Sequence, residues 1–216
     1  MNLRFITYSC ISTIILFLLL CFNAKQVFSQ SPKITKNAKR DTVKILPKSE
    51  WKGVAGRPYK QNVPVRITVH HEGGKVLTVN DDARQRLKNI QTWGMGPDRK
   101  WADVPYHLLI APDGIVFEGR NPLVVGETNT EYDPSGHLLI CFLGNYQQQK
   151  LDENLLKVLT NLLADQCIKY GISPKEISTH KDHSKQTTCP GEDIYSYFKS
   201  GYIVKEVSRL VKKKSR

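Results

Sequence analysis

The chain has 216 residues, with 32 Lys or Arg against 20 Asp or Glu and a formal charge of +12. That length suits one domain with a sizeable core. The basic balance suits an anionic polymer or a membrane surface; nucleic acid is disfavoured, because the basic residues are scattered and no nucleic-acid motif occurs. The bland reading, that Lys and Arg keep the surface soluble, holds for most of them.

Residues 1–29 read as a secretory signal. Arg4 supplies the positive end, and Cys10–Phe22 the apolar stretch. It is shorter than the about 20 residues a bilayer span needs. Val27-Phe28-Ser29 ends in a small residue, as a cleavage site does. The competing readings are an uncleaved anchor and a lipoprotein at Cys21, but Leu20 is bulky where a lipoprotein has a small residue. Cleavage predicts an exported chain, periplasmic or extracellular, with no stable membrane span. It removes Arg4 and Lys25 and no acid, so the remainder stays basic. Residues 30–41 are polar and basic without apolar period, a flexible leader. The domain runs over 42–205, and 206–216 is a basic C-terminal tail.

Val65–His71 reads as a strand between Pro64 and Gly73-Gly74. Asp81–Trp93 reads as a helix with Asn80 as N-cap; Ala83, Leu87, Ile90 and Trp93 recur at helical spacing. Tyr106–Ala111 and Ile115–Arg120 form a hairpin across Pro112-Asp113-Gly114, followed by a loop over Leu123–Glu131. His137–Phe142 is a buried strand. Leu151–Tyr170 is an amphipathic helix stopped by Gly171. Ile177–Thr179 is a last short strand, and Lys181–Thr188 a polar loop. Tyr195–Lys214 is a helix interrupted near Gly201. Strands alternating with helices indicate an α/β fold.

Chemistry concentrates in Ile177–Tyr195, which holds His180, His183 and Cys189. Imidazole nitrogen and thiolate sulfur are ligands that zinc prefers. A catalytic zinc needs about three protein ligands and one open position. The third is sought at the end of the strand Val65–Val69, where His70 and His71 stand. From these residues alone, a metal site and unrelated loop residues remain open alternatives. Beyond the leader the cysteines are Cys141, Cys167 and Cys189. They fit a site better than a disulfide framework. Cys141 and Cys167 read as buried small hydrophobes or as a pair.

The segments SEW (Ser49–Trp51), VRITVHH (Val65–His71), NIQTW (Asn89–Trp93), VPYHLLIAPDGIVFEGR (Val104–Arg120) and ICFLGNY (Ile140–Tyr146), with the 177–195 stretch, carry a resemblance. In that order they resemble zinc-dependent N-acetylmuramoyl-L-alanine amidases, the family of phage T7 lysozyme, bacterial amidases and animal peptidoglycan recognition proteins. The similarity runs from about Lys44 to about Phe198. It implies a single domain with a central mixed β-sheet flanked by helices. It also implies one zinc held by His70, His180 and Cys189. The implied reaction is hydrolysis of the amide between N-acetylmuramic acid and L-alanine of the peptidoglycan stem. Tyr106 matches the family's catalytic tyrosine, and Thr187 a position that could donate to the same oxygen. Taken alone, Tyr106 reads as a half-buried strand tyrosine and Thr187 as a turn residue.

His71, Lys100 and Trp101 are expected at the substrate. His71 adjoins a ligand and leaves a regular strand on the opposite face, so groove and surface both stay open for it. Lys100-Trp101 stands where animal members carry a dipeptide linked to the third stem residue, and Trp101 points to diaminopimelic acid. His183 is either an outer partner of the metal site or a solvated loop residue, and His107 and His137 have no assigned role. The chain departs from the pattern at Glu72, where a small hydroxyl residue is usual, and at Ala83, where animal members place a cysteine. The His180–Cys189 loop is also one residue longer than in animal homologues. No metal or catalytic position is lost, which favours an active enzyme over a non-catalytic peptidoglycan-binding module; separately, a monomer is expected.

Overall fold

A computed structural model describes residues 42–216; the signal and leader expected over 1–41 lie outside the described residues. The sheet has six strands. These are β1 (Ile45–Leu46), β2 (Arg66–His71), β3 (Leu108–Ile110), β4 (Val116–Glu118), β5 (His137–Phe142) and β6 (Ile177–Thr179). Their order is β1-β4-β3-β5-β2-β6, and only the β3–β4 pair is antiparallel. The expected mixed sheet and α/β fold are observed. The hairpin is shorter than its sequence pattern suggests, and β1, only two residues long, carries no pattern of its own.

The helices are α1 (Ala83–Gly94), α2 (Glu153–Tyr170), the single turn α3 (His180–His183), α4 (Glu192–Lys199) and α5 (Tyr202–Lys214). None among the described residues is long and apolar enough to cross a membrane. Period-two alternation divides the strand side chains between two cores. Ile67, Val69, Leu108, Ile140 and Phe142 meet Leu155, Leu159, Leu162 and Leu163 of α2 and Ile203 and Val207 of α5. Leu109, Phe117 and Cys141 meet Leu87 and Ile90 of α1, together with Trp51. Because both faces are covered, β5 is apolar throughout after His137, as sheets covered on both faces require.

The N-cap of α1 is Asp82, whose Oδ1 accepts from the Gln85 N–H at 3.0 Å. Asn80 instead lies in a turn closed by Asp81, whose Oδ2 accepts from the Thr78 N–H and hydroxyl. Asp152 caps α2, and Gly171 ends it at φ +67°, a conformation costly for residues with a Cβ. The break near Gly201 is present. Residues 206–216, expected as a tail, form most of α5, with Val207 and Leu210 buried. Their apolar spacing seats them on the core, while Lys212 and Lys213 face outward and Lys214 pairs with Asp165 of α2 at 2.7 Å. Cys141 and Cys167 are free and buried, so the pairing alternative is closed.

His107 is 1% exposed. Its Nδ1 accepts from the Leu139 N–H at 2.8 Å, and its Nε2–H donates to the Val124 carbonyl at 2.9 Å. Burial lowers its pKa to about 4. Between about 6.5 and 4 the unfolded chain binds a proton that the folded one refuses. This contribution to stability is complete above pH 6.5 and is lost as pH falls toward 4, by up to about 1.4 kcal/mol per pH unit. The urea midpoint of metal-free protein should fall between pH 7 and 5, and His107→Gln should lessen the fall. Identical pH profiles for the two chains would show that His107 does not contribute.

Candidate metal centre

His70 is the penultimate residue of β2, in register with Cys141, while His180 follows β6 directly. Both therefore emerge at the carboxyl ends of adjacent parallel strands, where open α/β sheets bind ligands. The polar run after His180, expected as loop, begins with the α3 turn. Asp182 Oδ2 accepts from both the N–H and the hydroxyl of Thr179 at 2.8 Å, a capping box that sets this turn. The Lys181 N–H donates to the Cys189 carbonyl at 2.9 Å and brings the far end of the segment back. Gly191 has φ +89°, and a Cβ there would lie 2.3 Å from the Tyr146 carbonyl carbon. Only glycine lets the segment after Cys189 press this closely on the β5 exit loop.

The result is a cluster of His70, His180 and Cys189, with one ligand atom from each and all within 4.8 Å of one another. Cys189 Sγ lies 3.6 Å from His70 Nδ1. Burial lowers the His70 pKa well below its ordinary value, with further lowering from His180. His180 is lowered to about 4, again mainly by burial. Both rings are thus neutral near pH 7, the form that ligates a metal. Burial raises the Cys189 thiol to about 12, opposed by the His71 N–H at 3.3 Å. A bound cation would stabilise the thiolate. Two imidazoles and one thiol at this separation fit zinc with one position left for water.

Tyr106 precedes β3 and is half-buried, its ring centroid 5.2 Å from that of His70. Burial raises its pKa well above 10, so the phenol keeps its proton and can donate. The loop beneath it is anchored by Asp103 and Arg120. Asp103 accepts from Lys48 Nζ, Gln91 Nε2 and the Val104 N–H. Arg120 is buried, donating to the carbonyls of Asp103, Val104 and Val125 and pairing with Glu127.

A cleft of about 480 Å³ opens beside Tyr106, lined by Trp93, Trp101, Glu72, Arg86 and Asn129 among others. Trp93 and Trp101 pack edge to face at 5.3 Å, with Arg99 over both rings. Glu72 forms an ion pair with Arg86 of α1. A larger cavity of about 730 Å³, walled in part by Arg120, Leu123 and Tyr170, includes none of the cluster residues.

The other expected site residues are placed as follows. Thr187 Oγ1 accepts from the Cys189 N–H at 3.0 Å, closing the ligand loop. His71 is 5% exposed and faces away from the cluster, its Nδ1 accepting from the Tyr146 N–H at 3.1 Å. Neither His71 nor Lys100 lines the cleft; Lys100 is exposed at φ +56°. His183 is not a solvated loop residue: its Nε2 lies 2.7 Å from Ser178 Oγ.

Sequence reasoning misses Thr130 and Tyr132. Thr130 Oγ1 lies 2.7 Å from His180 Nε2, and Tyr132 Oη 3.3 Å from His70 Nε2. Ser184 Oγ donates to Glu131 Oε2 at 2.7 Å, tying their loop to the end of α3. The run Thr128–Tyr132 has no periodicity, and only its density of hydroxyls hints at a polar task.

A family profile described as N-acetylmuramoyl-L-alanine amidase matches residues 60–192. Peptidoglycan recognition protein 1 of Rattus norvegicus is 30% identical over 165 residues, covering 72% of this chain and 86% of its own. Peptidoglycan-recognition protein SC2 of Drosophila melanogaster is 31% identical over 156 residues, covering 71% and 84%. Among solved structures, the Drosophila peptidoglycan recognition protein SD superposes with a TM-score of 0.65 at 26% identity, over 72% of this chain and 93% of its own. The ectodomain complex of recognition proteins LCa and LCx, solved with bound tracheal cytotoxin, gives 0.63 at 26% identity, over 72% and 94%. With its profile match, its sheet and its relatives in agreement, the chain belongs to the N-acetylmuramoyl-L-alanine amidase family that includes the peptidoglycan recognition proteins.

Proposed function

We propose that this chain is an exported zinc amidase that hydrolyses the amide between N-acetylmuramic acid and L-alanine in peptidoglycan. The observation that carries the reading is the buried His70–His180–Cys189 cluster with the Tyr106 phenol beside it. Zinc bound there would lower the pKa of a coordinated water to about 7 and polarise the substrate carbonyl. The Tyr106 phenol donates to the oxygen that gains charge as the amide carbon becomes tetrahedral. Thr187, whose oxygen accepts from the Cys189 N–H, keeps its own O–H as a second donor for that oxygen. The cleft walled by Trp93 and Trp101 takes the stem peptide, and Trp101 favours diaminopimelic acid at its third residue. A bound ligand in the LCa–LCx relative, tracheal cytotoxin, supports a muropeptide as occupant.

The second reading is a recognition module that binds peptidoglycan without cleaving it, as the names of the relatives allow. Such a module has no need of Cys189 against His70. Incubation of the purified chain with diaminopimelic-acid and lysine sacculi separates the two. Release of peptides that begin with L-alanine, abolished by a chelator and restored by zinc, is expected. A zinc-loaded chain that binds both sacculi and releases nothing would leave only the recognition module.

A further inference from the structure

Around the ligand cluster lies a second set of rings that the reaction does not use. The Tyr132 ring stacks on His183 at 5.6 Å between centroids and 23° between planes. It tilts against His137 at 5.4 Å and against His180 at 5.0 Å. His137 and His183 themselves meet edge to face at 4.8 Å. Each of these two histidines is fixed from a different strand. Thr68 Oγ1 of β2 lies 2.7 Å from His137 Nδ1, and Ser178 Oγ of β6 lies 2.7 Å from His183 Nε2. The Tyr132 ring is therefore gripped by two rings that have little freedom of their own. Its hydroxyl reaches out of that grip to His70 Nε2. The opposite nitrogen of the same ring, Nδ1, faces Cys189 Sγ.

A ligating histidine presents one nitrogen to the metal and needs a partner for the other. That partner sets the tautomer and the ring angle. We infer that Tyr132, held by His137 and His183, is the positioning residue of His70: it accepts from Nε2–H and thereby presents Nδ1 as the ligand. The inference rests on the zinc reading above and adds to it an outer partner on the loop before β5. It also gives a task to His137 and His183, neither of which belongs to the ligand set.

The test is Tyr132→Phe, which keeps the ring between the two histidines and deletes only the hydroxyl. Zinc affinity of the full chain is measured by competition with a chromogenic chelator. The cobalt-substituted protein is examined by its visible d–d absorption, and metal-free protein by thermal melting. Loss of an outer partner typically weakens metal binding about 10–100-fold. That weakening is expected, with an altered cobalt spectrum and an unchanged metal-free melting temperature. Zinc affinity within about twofold of wild type, or a loss matched by a lower metal-free melting temperature, overturns the role of Tyr132 and leaves the zinc reading intact. A wild-type chain that binds no zinc overturns both.

Discussion

The Cys189→Ala chain is expected to fold, to be recovered without zinc, and to release no detectable stem peptide from sacculi. Wild-type protein should carry about one zinc, the count that a site of three protein ligands and one open position requires. Cys189 supplies the sulfur of the three-atom cluster, and among the described residues no further His, Cys, Asp or Glu joins that cluster. Losing an outer partner costs about 10–100-fold in affinity, and losing a direct ligand should exceed that range. The structural cost is smaller. Alanine leaves a space the size of one sulfur and removes an acceptor from the His71 N–H, about 1–3 kcal/mol for one unpaired buried donor. Cys167→Ala is the control. Cys167 is a free thiol on α2 in the core against the sheet and is not part of the ligand cluster, so zinc and turnover should survive its removal. Elemental analysis that finds full zinc in Cys189→Ala would remove Cys189 from the ligand set.

The second large effect is expected from Tyr106→Phe, with turnover reduced by about 10²–10³, the usual cost of one donor aimed at transition-state charge. The ring is kept, so its contact with His70 at 5.2 Å should persist. No ligand atom is touched, so zinc should stay. The missing O–H would have donated to charge that develops only as the amide carbon is attacked. Its loss therefore falls on kcat more than on KM. The phenol is suited to this task because its pKa is raised well above the ordinary value, first by burial and then by Cys141 and Cys189. It does not ionise at working pH and remains a donor. The assay is release of peptides beginning with L-alanine from a soluble muropeptide, read alongside zinc content and a melting curve. Near-normal kcat in a zinc-loaded variant would exclude Tyr106 from the chemistry.

Much of the fold and part of the site are legible in the amino-acid sequence. The β-branched run ending in His70, the apolar His137–Phe142 and the Leu-rich period of α2 each report a burial pattern that local sequence carries. The alternation rule also sends His71 to the face opposite His70, where it meets the Tyr146 N–H. Local signals fail where two candidates stand close together. Asn80 and Asp82 both suit an N-cap, and the turn that engages Thr78 and Asp81 leaves the position to Asp82. The lysines near the C-terminus suggest a tail, although Val207 and Leu210 keep helical spacing there and are buried.

By itself the sequence determined the strands Val65–His71, His137–Phe142 and Ile177–Thr179 and the residues of ligand type beside them, because period and spacing act within one short segment. The zinc set and the part given to Tyr106 came only with the family resemblance. The tertiary structure alone decided that His70, His180 and Cys189 converge, because β2 and β6 pair in parallel and their carboxyl ends meet. It alone placed Tyr132 against His70 Nε2 and Thr130 against His180 Nε2. These contacts span 62 and 50 residues of chain. They arise from loop closure over a finished sheet, and no periodic signal in Thr128–Tyr132 could encode such a contact, since its partners exist only once the strands have been assembled.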